Sequence, residues 1–173
     1  MDDSFFKYLE QLELLAFFSG YSLIYTTAIF ISGNLRSKTN FISRRIKLLP
    51  FAYALVGTLY LGFELKKIYP VYSFENVGHH IHLHWLVAWG LLSVLFWIPA
   101  LSKRKALSLI HSLVFFFLIL KDIVLQPAAG RDDNIVANDM RVFGASLLLN
   151  LAAFLGVILG SALFTNRHKH TIV

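Results

Sequence analysis

The sequence predicts an all-α integral membrane protein in which one domain, residues 1–173, forms a bundle of five transmembrane helices. Hydrophobic residues make up 57% of the chain and 16 residues are Phe, whereas soluble domains are about 45–50% apolar. Five long apolar stretches alternate with charged loops, and Lys and Arg cluster in every second loop. These observations together indicate that lipid surrounds most of the chain.

The five apolar stretches predict spans at approximately 14–33, 46–65, 84–101, 106–125 and 141–165. The first and last can cross a hydrocarbon core of ~30 Å at a rise of ~1.5 Å per residue. The second and third are shorter, but Glu64 and His84 lie at their edges and can reach the interface. Lys121 and Asp122 interrupt the fourth, which makes four spans the alternative count. Pro99 is expected to end or kink the third.

The distribution of basic residues predicts the orientation. The loop after the first span contains no acidic residue but carries Arg36, Lys38, Arg44, Arg45 and Lys47. The next basic group, Lys103–Lys105, follows the third span. The positive-inside rule then places the N-terminus outside and the C-terminus inside, as expected for a bacterial inner (cytoplasmic) membrane. The net charge of +6 is attributed to topology, with anionic lipid rather than nucleic acid as a further partner.

Small residues at four-residue spacing predict where helices pack, because helices in lipid approach closely only at small side chains. The second span contains Ala54, Thr58 and Gly62, and the fifth contains Ala152, Gly156 and Gly160. Either stripe can contact a helix of the same protomer or one of a second protomer, so a homo-oligomer or a membrane-protein partner is an open alternative. Asn150, inside the fifth span, is expected to hydrogen-bond a neighbouring helix rather than to line an ion path.

A run of histidines before the third span is the most unusual chemical feature. A helix places His80 and His84 on one face, whereas an extended chain aligns His80, His82 and His84. Glu75 lies in the same loop and Glu64 lies at the same predicted outer face. Zinc or copper binding is one hypothesis for these five residues. Proton binding by the imidazoles and an interfacial loop without a ligand are the others.

His111 lies inside the fourth span and is expected to hydrogen-bond a neighbouring helix. A haem held between His84 and His111 is not expected, since the third and fourth spans run in opposite directions. Helix rise then separates the two imidazoles by roughly 20 Å in depth. The absence of Cys excludes disulfides and cysteine-ligated zinc or iron–sulfur sites.

These features predict three function classes. The first is a small non-catalytic helical membrane protein that is oligomeric or serves as a partner subunit of a membrane assembly. The second is a metal- or proton-responsive transporter or sensor that uses the histidine run. The third is a membrane metalloenzyme, which is the least expected, since the sequence has no H-E-x-x-H, phosphate-loop or nucleophile-elbow motif.

Overall fold

The protein is all-helical and has no strand in the residues that its computed structural model describes, which are 3–34, 45–70, 82, 84–128 and 133–170. The helices are α1 (Asp3–Phe18), α2 (Tyr21–Asn34), α3 (Leu49–Ile68), α4 (His84–Leu91), α5 (Pro99–Ser102), α6 (Lys105–Ala128) and α7 (Asp133–His170), with a 3₁₀ helix at Leu92–Trp97. The predicted all-α class is therefore confirmed over this part of the chain.

Within the described ranges, three stretches are long and apolar enough to cross a membrane: Phe5–Ser32, Ala106–Leu125 and Ile135–Leu163. They correspond to the first, fourth and fifth predicted spans and suggest that the chain is associated with a membrane. Helix α3 has 20 residues but includes Glu64, Lys66 and Lys67, and it is not among them. The apolar stretch Trp85–Trp97 is shorter. The five-span count and the orientation stay predictions.

The first and last helical stretches extend beyond their predicted bounds of 14–33 and 141–165. The first candidate span begins at Phe5, because α1 also includes the charged residues that precede the predicted span. Helix α7 begins at Asp133 and continues to His170. Charged side chains at these positions do not end the helices, since tertiary contacts described below bind several of them.

Helix α7 forms hydrogen bonds with the backbone at the break between α1 and α2. The Gly20 N–H donates to Ser146 Oγ at 2.9 Å, and Asn150 Nδ2 donates to the Phe17 carbonyl at 2.7 Å. Both backbone groups would lack a partner at an interrupted helix in an apolar environment, where each unpaired group costs several kcal/mol. Asn150 thus supports a helix break, and its amide nitrogen is committed to backbone carbonyls.

The third predicted span, 84–101, is not one continuous α-helix. It consists of α4, the 3₁₀ helix and α5, with an extended residue at Ile98 (φ −72°, ψ 122°). Pro99 explains this geometry, because the proline ring disfavours helical backbone in the residue before it. The expected break at Pro99 is present.

Helix α1 lies at the centre of the bundle and packs against α3, α4, α6 and α7. Around it, the fully buried core is rich in aromatic rings, including Phe18, Tyr21, Tyr53 and Phe115. The Tyr21 and Tyr53 rings lie 4.3 Å apart and those of Phe18 and Phe115 lie 4.9 Å apart. Offset and edge contacts of this kind stabilise the packing beyond simple burial.

Candidate functional site

Residues 8–13 of α1 include four polar side chains, whose partners lie on three helices and on the backbone of His82. Tyr8 OH donates to Asp139 Oδ1 of α7 at 3.2 Å, and Gln11 Nε2 donates to Asp122 Oδ2 of α6 at 2.7 Å. Asp139 is completely buried. These polar side chains of α1 point in several directions, so each needs a polar partner. The surrounding elements supply these partners.

The other two α1 side chains are carboxylates. Glu10 Oε2 accepts the backbone N–H of His82 at 2.8 Å. Lys67 of α3 forms salt bridges with Glu13 and with Glu64, the latter at 3.0 Å. We call the whole set the polar hub, which consists of Tyr8, Glu10, Gln11, Glu13, Tyr60, Glu64, Lys67, His82, Asp122 and Asp139. It joins α1 to α3, α6 and α7 and to the backbone of His82, two residues before α4.

Burial and charge in the polar hub favour the protonated form of Lys67. Burial lowers the pKa of Lys67, but the hydrogen bonds and attraction from Glu13 and Glu64 outweigh that effect and raise it above its ordinary value. Nearby, Tyr60 OH and Glu64 Oε2 are buried, and neither has a hydrogen-bond partner in the described part of the chain. Since buried polar atoms are nearly always paired, these two oxygens are where an additional proton or small polar ligand could bind.

The described residues do not by themselves form the predicted metal site. Glu64 binds Lys67, and the His82 ring stacks on Phe6 at 5.9 Å and 11°. The remaining predicted ligands, His80, Glu75 and the side chain of His84, lie outside the described residues. Within the described residues, no group of three or more His, Asp or Glu side chains could hold a metal ion. Zinc or copper binding by the histidine run stays a prediction.

His111 contacts two neighbouring helices, α3 and α4, through both of its ring nitrogens. Its Nδ1 lies 2.7 Å from Tyr53 OH of α3, and its Nε2 lies 2.8 Å from the Trp89 carbonyl of α4. A carbonyl only accepts, so Nε2 carries a proton. Burial disfavours the charged imidazolium, so the ring is neutral and Nδ1 accepts from the tyrosine hydroxyl. Trp89 also stacks on the ring at 4.7 Å and 9°. Both ring nitrogens therefore have hydrogen-bond partners on neighbouring helices.

The small-residue stripes behave differently from each other. Ala54 is buried, and Thr58 Oγ1 donates to its carbonyl at 2.9 Å and accepts Trp97 Nε1 at 2.9 Å. The other predicted contact residues do not pack inside the protomer. A Cβ at Gly62, Gly156 or Gly160 would have no described atom within 4 Å, and Ala152 is exposed. For these four positions no described residue supplies an intramolecular contact, and the choice between the two alternatives stays a prediction.

The close helix contacts occur at glycines that the spacing rule missed. A Cβ at Gly20 would lie 2.6 Å from the Leu147 nitrogen, and one at Gly57 would lie 2.0 Å from Ser93 Oγ. At Gly90 it would lie 2.9 Å from a leucine methyl group of α1. Gly57 and Gly90 have no small residue four positions away, whereas Gly20 follows Ala16 at that spacing, which is the one sequence signal that could have identified a contact.

Comparisons with protein-family models, with curated proteins and with solved structures give no match to this chain. Its function is therefore argued from its own residues.

Proposed function

We propose that this protein is a small non-catalytic helical membrane protein that acts as a self-associating subunit through the outward face of α7. One observation carries the proposal. Only 17% of the most apolar window in Ile135–Leu163 is buried, compared with 44% in Phe5–Ser32. The most apolar candidate span is thus the one that its own protomer covers least.

The outward face of α7 combines large and small residues. Its exposed leucines are Leu148, Leu151, Leu155, Leu159 and Leu163. At 3.6 residues per turn, Ala152 and Gly156 lie among them on the same face, and both are exposed. We call this surface the α7 seam.

A glycine in the α7 seam needs an explanation. Gly within a helix costs about 1 kcal/mol relative to Ala, and no described atom of the protomer approaches Gly156 within 4 Å. Lipid chains do not require a glycine, whereas a second helix gains dispersion contacts when it approaches the backbone there. A second copy of the chain is the proposed occupant, since a two-fold axis brings the same face of two copies together.

We further infer five membrane crossings with the N-terminus outside and the C-terminus inside, in a bacterial inner membrane. The polarity of α3 supports this arrangement. Lys47 precedes its first turn, whereas Glu64 and the polar hub lie at its other end. Lys47 and the acidic members of the polar hub thus lie at opposite ends of α3, and at the acidic end Lys67 is paired with Glu13 and Glu64.

Subunit counting in lipid nanodiscs or by single-molecule photobleaching tests self-association. Gly156→Leu should weaken the dimer about tenfold or more, because a bulky side chain prevents the backbone approach. Gly62→Leu is the matched control, since Gly62 is also an exposed helical glycine without a described neighbour within 4 Å. A monomeric wild type, or equal weakening by both variants, would contradict the proposal.

A second candidate function is a proton- or metal-responsive sensor or transporter at the polar hub and the histidine run. The observation that favours it is the pair of buried oxygens, Tyr60 OH and Glu64 Oε2, beside Lys67. Metal analysis of the purified protein, with and without His80→Ala and His84→Ala, tests the metal version. Thermal stability of wild type and Glu64→Gln between about pH 5 and about pH 8 tests the proton version. No bound metal and identical pH profiles would exclude this function.

A further inference from the structure

A cavity of about 380 Å³ lies at the end of α3 opposite the polar hub. The described residues that line it are Lys47, Phe51, Pro99, Ser102 and Lys103. Both lysines are exposed, Phe51 is half-buried and Ser102 is buried. The cavity therefore has a cationic rim and a mostly apolar wall with one hydroxyl group, and its size is within the ~300–1,000 Å³ range of small-molecule sites.

Residues distant in the sequence form this rim. Lys47 lies in the turn before α3, and Lys103 lies in the turn after α5. The break at Pro99 reverses the chain, and the Lys103 N–H donates to the Pro99 carbonyl at 3.1 Å. Lys103, which follows the break at Pro99, thus lines the same cavity as Lys47.

Lys47 and Lys103 differ from Arg45, the neighbouring basic residue, in the contacts that they form. Arg45 donates to Ser161 Oγ at 3.1 Å and to the Ile158 carbonyl at 3.4 Å, which ties it to α7. In the described part of the chain, neither Lys47 nor Lys103 forms a salt bridge with a carboxylate. Two ammonium groups at one rim repel each other and favour an anion between them.

The apolar wall of the cavity indicates what kind of anion. Phe51 contacts Trp97, with ring centroids 6.1 Å apart. Trp97 is 44% exposed, and its Nε1 is already bound to Thr58. An amphipathic ring at this position is typical of the membrane interface. A free inorganic anion would use only the lysines, whereas a lipid would also use the aromatic surface.

We propose that this cavity binds an anionic phospholipid. Lys47 and Lys103 contact the phosphate of its headgroup, and an acyl chain lies along Phe51 and Trp97. A zwitterionic lipid carries a compensating cation on its headgroup, so the lysine pair discriminates against it. This inference is independent of the α7 seam, which lies on another helix.

Native mass spectrometry of the full chain, titrated with phosphatidylglycerol or phosphatidylcholine, tests the site. Preferential binding of phosphatidylglycerol is expected. Lys47→Gln and Lys103→Gln should each weaken that binding about fivefold, and the double variant about 25-fold, given the usual contribution of one Lys near anionic lipid. Lys66→Gln is the matched control, since Lys66 is an exposed lysine near the other end of α3.

Three results would overturn the proposal. They are equal binding of both lipids, wild-type affinity in the double variant, and an equal loss in Lys66→Gln. Competition with inorganic phosphate distinguishes the two sources of a phosphate group. Displacement of the lipid at a comparable phosphate concentration would identify a free-anion site instead. Circular dichroism checks that each variant keeps its helical content, which substitution of an exposed lysine should preserve.

Discussion

Gly20→Ala is the substitution whose effect on stability the structure predicts most sharply. The added Cβ would lie 2.6 Å from the Leu147 nitrogen and 2.7 Å from the Ser146 carbonyl carbon. Both contacts are with the backbone of α7, so a side-chain rotation cannot relieve them. Ordinary carbon contacts are ~3.5–4.0 Å, and α7 must therefore withdraw by about 1 Å.

The expected cost has two parts. Overpacking of a core costs ~1–3 kcal/mol. Withdrawal of α7 also stretches the hydrogen bonds Gly20–Ser146 and Asn150–Phe17, now 2.9 and 2.7 Å long, at ~0.5–1.5 kcal/mol each. The higher helix propensity of Ala recovers at most about 1 kcal/mol. The net loss in unfolding free energy is about 1–5 kcal/mol.

Reversible unfolding in mixed detergent micelles, titrated with sodium dodecyl sulfate, measures this loss. Gly62→Ala is the matched control, because a Cβ there meets no described atom within 4 Å. It should be neutral or slightly stabilising. If Gly20→Ala lies within about 0.5 kcal/mol of the wild type, or if both variants lose the same stability, the inferred contact between α1 and α7 is wrong.

Three further substitutions test individual contacts by the same unfolding measurement. Tyr53→Phe removes the donor to His111 Nδ1 and should lower the unfolding free energy by about 1–3 kcal/mol; an unchanged value would mean that the hydrogen bond is absent. Asn150→Leu leaves the Phe17 carbonyl without its partner and should cost a similar ~1–3 kcal/mol, and wild-type stability would argue against the supported helix break. The raised pKa of Lys67 stabilises the fold below the ordinary lysine pKa of ~10.4 and ceases to do so as the pH rises through the folded value. Lys67→Met should abolish that alkaline loss, and an alkaline profile identical to wild type would contradict it.

Local sequence features predicted the helices and the Pro99 break well, because apolar periodicity and proline geometry act over a few residues. These local features did not predict where α1 begins. Glu10 and Gln11 are polar residues that precede the predicted first span. Their partners, His82 and Asp122, are distant along the chain. A contact that forms only in the folded state cannot be read from a local pattern.

The small-residue pattern shows a second limit. Spacing identifies Gly156 and Gly160 as one side of a helix, but it does not say what that side faces, and the structure leaves both open. Gly20, which follows Ala16 at the same four-residue spacing, makes the close approach to α7 instead. Which glycine packs depends on the path of the neighbouring helix, and that path is set by tertiary interactions.

Disulfide cross-linking in the membrane tests self-association through the α7 seam most directly, because the native chain contains no Cys. A single Gly156→Cys substitution supplies a thiol that can pair only with a second copy, and a disulfide requires the two Cβ atoms to lie about 3.5–4.5 Å apart. Mild oxidation should give a reducible dimer for Gly156→Cys and a monomer for Gly62→Cys. A monomer for Gly156→Cys, or equal cross-linking of both variants, would contradict the proposed seam.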